Sequence, residues 1–89
     1  MAKAIWKYTT PVVDLLEISM PTGARVMTVQ LQRDHVAMWA IVDPEVERER
    51  RRFAFYGTGQ PMPEDPGAYV GTVQEADGVL VWHFFEVAP

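Results

Sequence analysis

The stretch of sequence that decides the fold is the last apolar run of the chain, Val79-Leu80-Val81-Trp82-His83-Phe84-Phe85-Glu86-Val87. Every second residue points to the same side of a strand, so Val81, His83 and Phe85 share one face, while Trp82 and Phe84 share the other. Both faces are almost entirely apolar, as in strands that are covered on both sides. The run therefore predicts a β-strand in the middle of the hydrophobic core.

The same period of two recurs along the chain and is interrupted by turn residues, which is typical of a small all-β fold. The other predicted strands are Ala4–Thr9, Asp14–Met20, Ala24–Gln32, His35–Val42, Phe53–Tyr56 and Tyr69–Gln74. Arg33-Asp34 and Glu75-Ala76-Asp77-Gly78 fit hairpin turns, and His35–Val42 is apolar on both faces and is therefore also central. We expect a single domain over residues 1–89, folded as a small antiparallel β-barrel or rolled sheet of about six strands.

One short helix is expected after Asp43. Asp43 can cap free backbone N–H groups, Pro44 suits the first helical position, and Glu45 favours the positive end of the helix dipole. The spacing of Glu45 to Arg48 and of Glu47 to Arg51 would allow ion pairs along that helix. The Glu/Arg run is interpreted as a solvated helix face, with recognition of a phosphate or carboxylate by Arg50, Arg51 or Arg52 as the alternative.

Composition limits the classes of function. At 89 residues there is room for one core, and because cysteine is absent no disulfide can reinforce it, so a homo-oligomer is expected. No apolar run has the length of a signal peptide or of a membrane span, and we expect a cytoplasmic protein without membrane contact. The net charge of −4 argues against non-specific binding of nucleic acid.

His83 is the most informative polar residue because it lies on an otherwise apolar face, where a buried imidazole must find a hydrogen-bond partner. The first interpretation is a core histidine whose ring nitrogens are both satisfied. The second is a ligand contact or general base that lines a pocket. A metal site is a weaker third interpretation, because the sequence offers no companion ligands at suitable spacing.

Gly57-Thr58-Gly59 follows a predicted strand and has two interpretations. It is either a glycine bend that leads into a stiff proline-containing loop, or an anion site built from backbone N–H groups, the Thr58 hydroxyl and Arg52. Pro61 and Pro63 exclude the usual nucleotide-binding fingerprint, which continues into a helix. Each tryptophan, Trp82 included, lies in a predicted strand. The first interpretation is a core residue, and the alternatives are a stacking wall for a planar ligand or an oligomer contact.

The predicted ligand-binding residues are Arg52, Tyr56, Gly57, Thr58, Gly59, Gln60, Trp82 and His83. No catalytic residue is predicted, because Ser19 is the only serine and no paired carboxylates stand out. We therefore expect a protein that is not an enzyme and that needs neither a metal nor a cofactor.

Four ordered motifs carry a resemblance to a known group of proteins. They are Trp39-Ala40-Ile41-Val42-Asp43-Pro44, Gly57-Thr58-Gly59-Gln60-Pro61, Tyr69-Val70-Gly71-Thr72-Val73-Gln74 and Val81-Trp82-His83-Phe84-Phe85-Glu86. In this set the chain resembles an uncharacterised family of short proteins from tailed phages and their bacterial hosts, from about Lys3 to Val87. The resemblance implies a phage or prophage accessory protein that acts in the host cytoplasm, and it implies no activity or site residue.

Two functions suit a small, acidic accessory protein of this kind. In the first, oligomers counteract host defence as a sponge that binds and sequesters a nucleotide-like immune signalling molecule through aromatic stacking and anion contacts. In the second, a sheet edge or the acidic surface docks onto a host or phage protein and inhibits it, without a small ligand.

Overall fold

The computed structural model describes residues 2–89, which form seven β-strands in two antiparallel sheets. In chain order the strands are β1 (Ala4–Thr10), β2 (Leu15–Pro21), β3 (Arg25–Gln32), β4 (His35–Val42), β5 (Arg48–Gly57), β6 (Ala68–Glu75) and β7 (Leu80–Glu86). The three-stranded sheet has the order β1-β4-β3, and the four-stranded sheet has the order β2-β5-β7-β6. The prediction of a mostly β, antiparallel fold is confirmed. Within residues 2–89, no helix has the length and apolar character needed to cross a membrane.

The sheets do not close into the expected barrel, and the described residues form seven strands where a barrel or rolled sheet of about six was expected. The connections β1–β2, β2–β3 and β4–β5 each pass from one sheet to the other, and β7 lies between β5 and β6. Within residues 2–89 the hairpins are therefore β3–β4 and β6–β7. The two sheets come closest at β3 and β6, where a Cβ added to Gly71 would lie 2.9 Å from Cγ1 of Val29. A barrel needs a continuous ladder of backbone hydrogen bonds. Within residues 2–89, β1 pairs with β4 alone and β2 pairs with β5 alone, so each is the edge strand of its sheet.

The core lies between the sheets and is centred on β7. Phe84 is fully buried, and its ring lies 5.3 Å from that of Phe53 and 4.4 Å from that of Phe55. The opposite sheet covers these rings with the inward side chains of the central strand β4, which are Val36, Met38, Ala40 and Val42. These contacts confirm that β4 and β7 are central strands, each flanked by two neighbours.

The outer face of β7 is not part of the core, however. Val81, His83 and Phe85 are only partly buried, because no third layer covers the four-stranded sheet. The prediction of an apolar environment on both sides of this strand is therefore wrong for one side.

The predicted helix after Asp43 is also wrong. The carboxylate of Asp43 does accept a hydrogen bond from the Glu45 N–H at 3.1 Å, as a cap would, but the chain makes a single turn. It enters β5 at Arg48, where the backbone pairs with β2 instead of with itself. In a strand the residues three and four apart do not meet, so the proposed ion pairs along the helix do not form. The single helical turn within residues 2–89 is a 3₁₀ turn at Ala76–Gly78.

Because this segment is a strand, Arg51 points between the sheets. Its Nε and Nη2 donate to the two carboxylate oxygens of Glu86 at 2.6 and 2.9 Å, and its Nη1 donates to the Ala24 carbonyl at 2.6 Å. The hydrogen bonds to Glu86 raise the pKa of Arg51 above its usual value, against the opposing effect of burial. The guanidinium thus joins β5 and β7 to the β2–β3 connection.

Tyr8 of β1 also points inward, and its hydroxyl is buried without a hydrogen-bond partner. Burial raises the pKa of Tyr8 above 10.0, because the phenolate loses hydration, and the nearby charges of Arg48 and Arg51 offset only part of this effect. The folded protein therefore favours the neutral phenol.

We expect Phe84→Ala to lower the free energy of unfolding by about 3–5 kcal/mol, since it removes a fully buried ring and leaves a cavity. Phe85→Ala on the open face is the matched control and should cost roughly 1 kcal/mol, mainly from lost aromatic contacts. Urea denaturation followed by tryptophan fluorescence measures both values. Equal losses for the two variants would contradict the assignment of the two faces of β7.

We expect Tyr8→Phe to reduce the loss of stability at alkaline pH. The unfolded chain releases the Tyr8 proton near pH 10.0, whereas the folded chain holds it to higher pH. The contribution of Tyr8 to stability is therefore fully present below pH 10.0 and is lost as the pH rises above it. The variant lacks this contribution, and near neutral pH it should be unchanged or up to about 1 kcal/mol more stable, because an unpaired hydroxyl is lost. Denaturation at a series of pH values tests this, and parallel stability curves for both proteins would refute it.

Candidate functional site

The outer face of the four-stranded sheet carries the candidate site. One cross-strand row there consists of Tyr56, His83 and Thr72, and Phe85 and Tyr69 lie in the adjacent row. Thr58 follows the end of β5 on the same side. We call these six residues the outer-face cluster; its members are Tyr56, Thr58, Tyr69, Thr72, His83 and Phe85.

His83 is held at both ring nitrogens by threonine hydroxyls. Its Nε2 lies 2.8 Å from Thr58 Oγ1, its Nδ1 lies 3.0 Å from Thr72 Oγ1, and the Tyr69 hydroxyl lies 2.6 Å from Thr72 Oγ1. Hydroxyls can rotate to donate or accept, so either neutral tautomer of the imidazole is satisfied. His83 is thus fully hydrogen-bonded, as the first interpretation requires, but it is half-buried on an open face instead of in the core.

Three aromatic rings surround this hydrogen-bonded group. Phe85 makes edge-to-face contacts with Tyr56 at 5.9 Å and with Tyr69 at 5.5 Å between ring centroids. Tyr69 and Ala54 both pair with Phe85, one on each side of β7. Tyr69 is 60% exposed, whereas Ala54 is only 2% exposed. Rings that are locked by mutual contact and still present a face to solvent are suited to stacking on a planar ligand.

A β-bulge brings Tyr69 into this cluster. Tyr69 pairs with Phe85, but the register shifts before Gly71, so that Thr72 rather than Gly71 shares the face of Tyr69. Simple alternation along β6 places Tyr69 and Thr72 on opposite faces, which is why the sequence analysis missed both residues. Phe85 was missed because its strand was predicted to be buried on both sides. The hairpin turn Asp77-Gly78 did carry a signal, since it predicts that Thr72 and His83 lie near each other.

The glycine loop is a closed turn and not an anion cradle. Gly57 N–H donates to Gln60 Oε1 at 2.9 Å, Thr58 N–H donates to the Val81 carbonyl at 3.3 Å, and Gln60 N–H donates to the Gly57 carbonyl at 3.0 Å. Gly59 supplies the positive φ of 86° that the turn needs. Because three of the four N–H groups of residues 57–60 are used within the protein, the geometry of this loop favours the glycine-bend interpretation over the anion site.

The remaining predicted site residues lie apart from His83. Trp82 faces the core side, where its Nε1 donates to Glu75 Oε1 at 2.8 Å. It borders a surface depression of about 320 Å³ that Gly57, Thr58 and Gln60 also line. Arg52 lies on the outer face, and its Nη2 donates to the Ala88 carbonyl at 3.1 Å. The fold therefore joins Tyr56, Thr58 and His83 on the outer face, whereas Trp82 lies on the core side and meets Thr58 only at the margin of this depression.

No group of three or more metal-ligating side chains converges within residues 2–89. The surface depressions of this part of the chain are shallow, at about 260 to 320 Å³. The outer-face cluster itself is open to solvent and lies outside these depressions, apart from Tyr69 and Thr58 at their margins. Such an arrangement can stack against and hydrogen-bond a planar polar group.

Comparison with family models gives a match over residues 1–89. The chain belongs to the family described as Domain of unknown function (DUF7352). Curated proteins and solved structures gave no match. Membership of this family assigns no activity, so any function must be argued from the outer-face cluster and its surroundings.

Proposed function

We propose that the protein is a non-enzymatic binding protein that sequesters a nucleotide-like ligand on the outer-face cluster. The observation that carries this proposal is the placement of an imidazole, held at both nitrogens, beside three aromatic rings on a central strand of a sheet. A rigid cluster loses little conformational entropy when a ligand binds.

The base of such a ligand would stack on the exposed ring of Tyr69 or on Phe85. Phe85 is fixed by Tyr56 and Tyr69 on its two sides, so little ordering of side chains accompanies binding. The Thr58 and Thr72 hydroxyls and His83 lie one row away and supply donors and acceptors for the polar edge of a base. Aromatic stacking with a few placed polar groups is the usual composition of a ligand site.

Arg52 supplies the anion contact. It lies on the same strand and face as Ala54, which pairs with Phe85, so its Cα is about 7 Å from the Phe85 row. Its guanidinium binds the Ala88 carbonyl through one nitrogen, and its other N–H groups remain available for a phosphate. The anion contact of the proposal therefore depends on this side chain and not on the glycine loop.

A single chain presents this cluster on an open surface, and high-affinity sequestration needs the ligand to be enclosed. We infer that a second copy of the chain supplies the other wall, in a homo-oligomer. In the phage setting that the sequence resemblance implies, the ligand would be a nucleotide-like signal of host defence in the bacterial cytoplasm.

The test is binding of cyclic oligonucleotides and ADP-ribose derivatives, measured by thermal shift and calorimetry. We expect at least one of these to bind and to be recovered unmodified by chromatography, as sequestration requires. Phe85→Ala should weaken binding about tenfold, which corresponds to the loss of one stacking contact. Ile5→Ala, on the outer face of the other sheet, is the matched control and should bind normally. Absence of binding across the series, or turnover of the ligand, would refute the proposal.

A second candidate is an inhibitor that docks onto a host or phage protein. It is favoured by the β6–β7 turn, where Val79 is 79% exposed and Leu80 is 45% exposed. Apolar side chains that protrude beside the acidic Glu75 and Asp77 contribute little to the core and are typical of contact surfaces.

If this candidate is right, the doubly substituted variant Val79→Ser, Leu80→Ser should lose a stoichiometric partner that the unchanged protein captures from bacterial lysate. Phe85→Ala should retain that partner, because the outer-face cluster is a separate surface. Recovery of the partner by both variants alike, or capture of none by the unchanged protein, would count against the inhibitor.

A further inference from the structure

β5 is longer than the strand beside it, which leaves part of its edge unpaired. On one side β5 pairs with β2 from Arg48 to Ala54, and on the other side it pairs with β7 only from Phe53 to Gly57. One further backbone bond, from Val87 N–H to the Arg52 carbonyl at 2.8 Å, ends that second ladder. From Arg48 to Arg51 the strand therefore has a paired strand on one side alone, and residues 86–89 border the other side without pairing with it.

The direction of the unpaired backbone groups follows from this last bond. The Arg52 carbonyl points towards β7, and successive residues of a strand point to alternate sides, so the N–H and C=O groups of Arg50 and Arg48 face the same way. Those of Glu49 and Arg51 face β2, in agreement with the Thr22 N–H bond to the Glu47 carbonyl at 2.9 Å. A surface depression of about 260 Å³ lies along this edge, between residues 49–52 and residues 86–89.

Charge marks the outer side of the same edge. Arg50 and Arg52 are exposed on this side, whereas Arg48, at the exposed start of β5, extends its guanidinium over the Trp6 ring of β1. The side chains of these arginines make only weak or neutral contacts. Arg50 lies 3.7 Å from Glu17 in an exposed ion pair, which contributes little to stability. The contact of Arg48 is with a neutral ring, and Arg52 binds a backbone carbonyl. The inward-pointing Arg51 is not available to a partner, because its guanidinium is already bonded to Glu86.

We propose that the free edge of β5 at residues 48–51 is a strand-addition site for an extended acidic segment of a partner protein. Such a segment would continue the place of β7 in the sheet, bond the N–H and C=O groups of Arg50 and Arg48, and place carboxylates beside these two arginines. Main-chain bonds to a sheet edge provide affinity, and alternate side chains provide selectivity. This surface adjoins the outer-face cluster at Arg52, but the backbone groups of Arg48 and Arg50 that it uses belong to no part of the proposed ligand site.

A second copy of the chain paired through this same edge is disfavoured. A two-fold axis there would bring the arginines of one β5 against those of the other, and like charges directly opposite in a sheet are destabilising. The positive charge of Arg48 and Arg50 instead favours a partner strand whose outward residues are Asp or Glu.

The test uses the full chain and two synthetic probes, acetyl-Thr-Glu-Thr-Glu-Thr-Glu-amide and acetyl-Thr-Lys-Thr-Lys-Thr-Lys-amide. We expect the glutamate peptide to shift the amide resonances of Arg48 and Arg50 and to slow their hydrogen exchange, while Glu49 and Arg51 keep their exchange rates. The lysine peptide should do neither. Binding should weaken by about threefold or more as salt is raised, because the paired charges are screened.

Two substitutions at one position separate strand addition from simple charge attraction. Arg50→Gln removes the charge and keeps the N–H, whereas Arg50→Pro removes both and is tolerable in a strand whose N–H at that position faces no neighbour. We expect the proline variant to bind the glutamate peptide at least about threefold more weakly than the glutamine variant. Circular dichroism reports whether the proline variant is folded, and the exchange experiment on the unchanged protein decides the question if it is not.

Unchanged exchange at Arg48 and Arg50 with saturating glutamate peptide would overturn the proposal. Equal responses to the glutamate and lysine peptides would also overturn it, because the site would then lack the predicted charge selectivity.

Discussion

The position of Phe84 between Phe53 and Phe55 is the constraint on which the other features of the structure depend. These three rings are the largest fully buried side chains. The four-stranded sheet must therefore direct them towards strand β4 of the other sheet. Since neighbouring residues of a strand point in opposite directions, burial of Phe84 forces His83 and Phe85 to the outside. The outer-face cluster is thus a direct consequence of core packing in the adjacent positions of the same strand.

This arrangement divides the four-stranded sheet into a face that forms the core and an open face that carries the outer-face cluster. The inner face removes its aromatic rings from water and supplies most of the stability that an 89-residue chain without cysteine can reach. The outer face keeps Tyr56, Tyr69 and Phe85 in contact with one another but leaves them partly exposed. A sheet that is rigid because of one face can hold ligand contacts on the other with little loss of conformational freedom.

The hydrogen bonds made within the protein distinguish structural residues from residues that remain available for a partner. The N–H groups of Gly57, Thr58 and Gln60, which resemble a phosphate loop in sequence, are used within their own turn and strand. Arg51 binds Glu86 and Ala24 and therefore acts in stability, whereas Arg48 and Arg50 keep backbone groups directed at an open edge. The same run of arginines thus contains one structural residue and several available ones, and the backbone direction at Arg52 distinguishes them.

The sequence alone determined the antiparallel β class, the approximate positions of the extended segments and two hairpin turns, because these follow from the local period of two and from turn chemistry. Only the tertiary structure decided which connections cross between sheets, and so made two open sheets out of a predicted barrel. It also turned Arg48–Arg52 into a strand, since pairing with β2, which no local pattern in the sequence records, satisfies the backbone groups of Glu49 and Arg51. The bulge before Gly71 reversed the faces of β6 and joined Tyr69 to Thr72. A bulge depends on contacts with strands distant in sequence, and no local pattern records it.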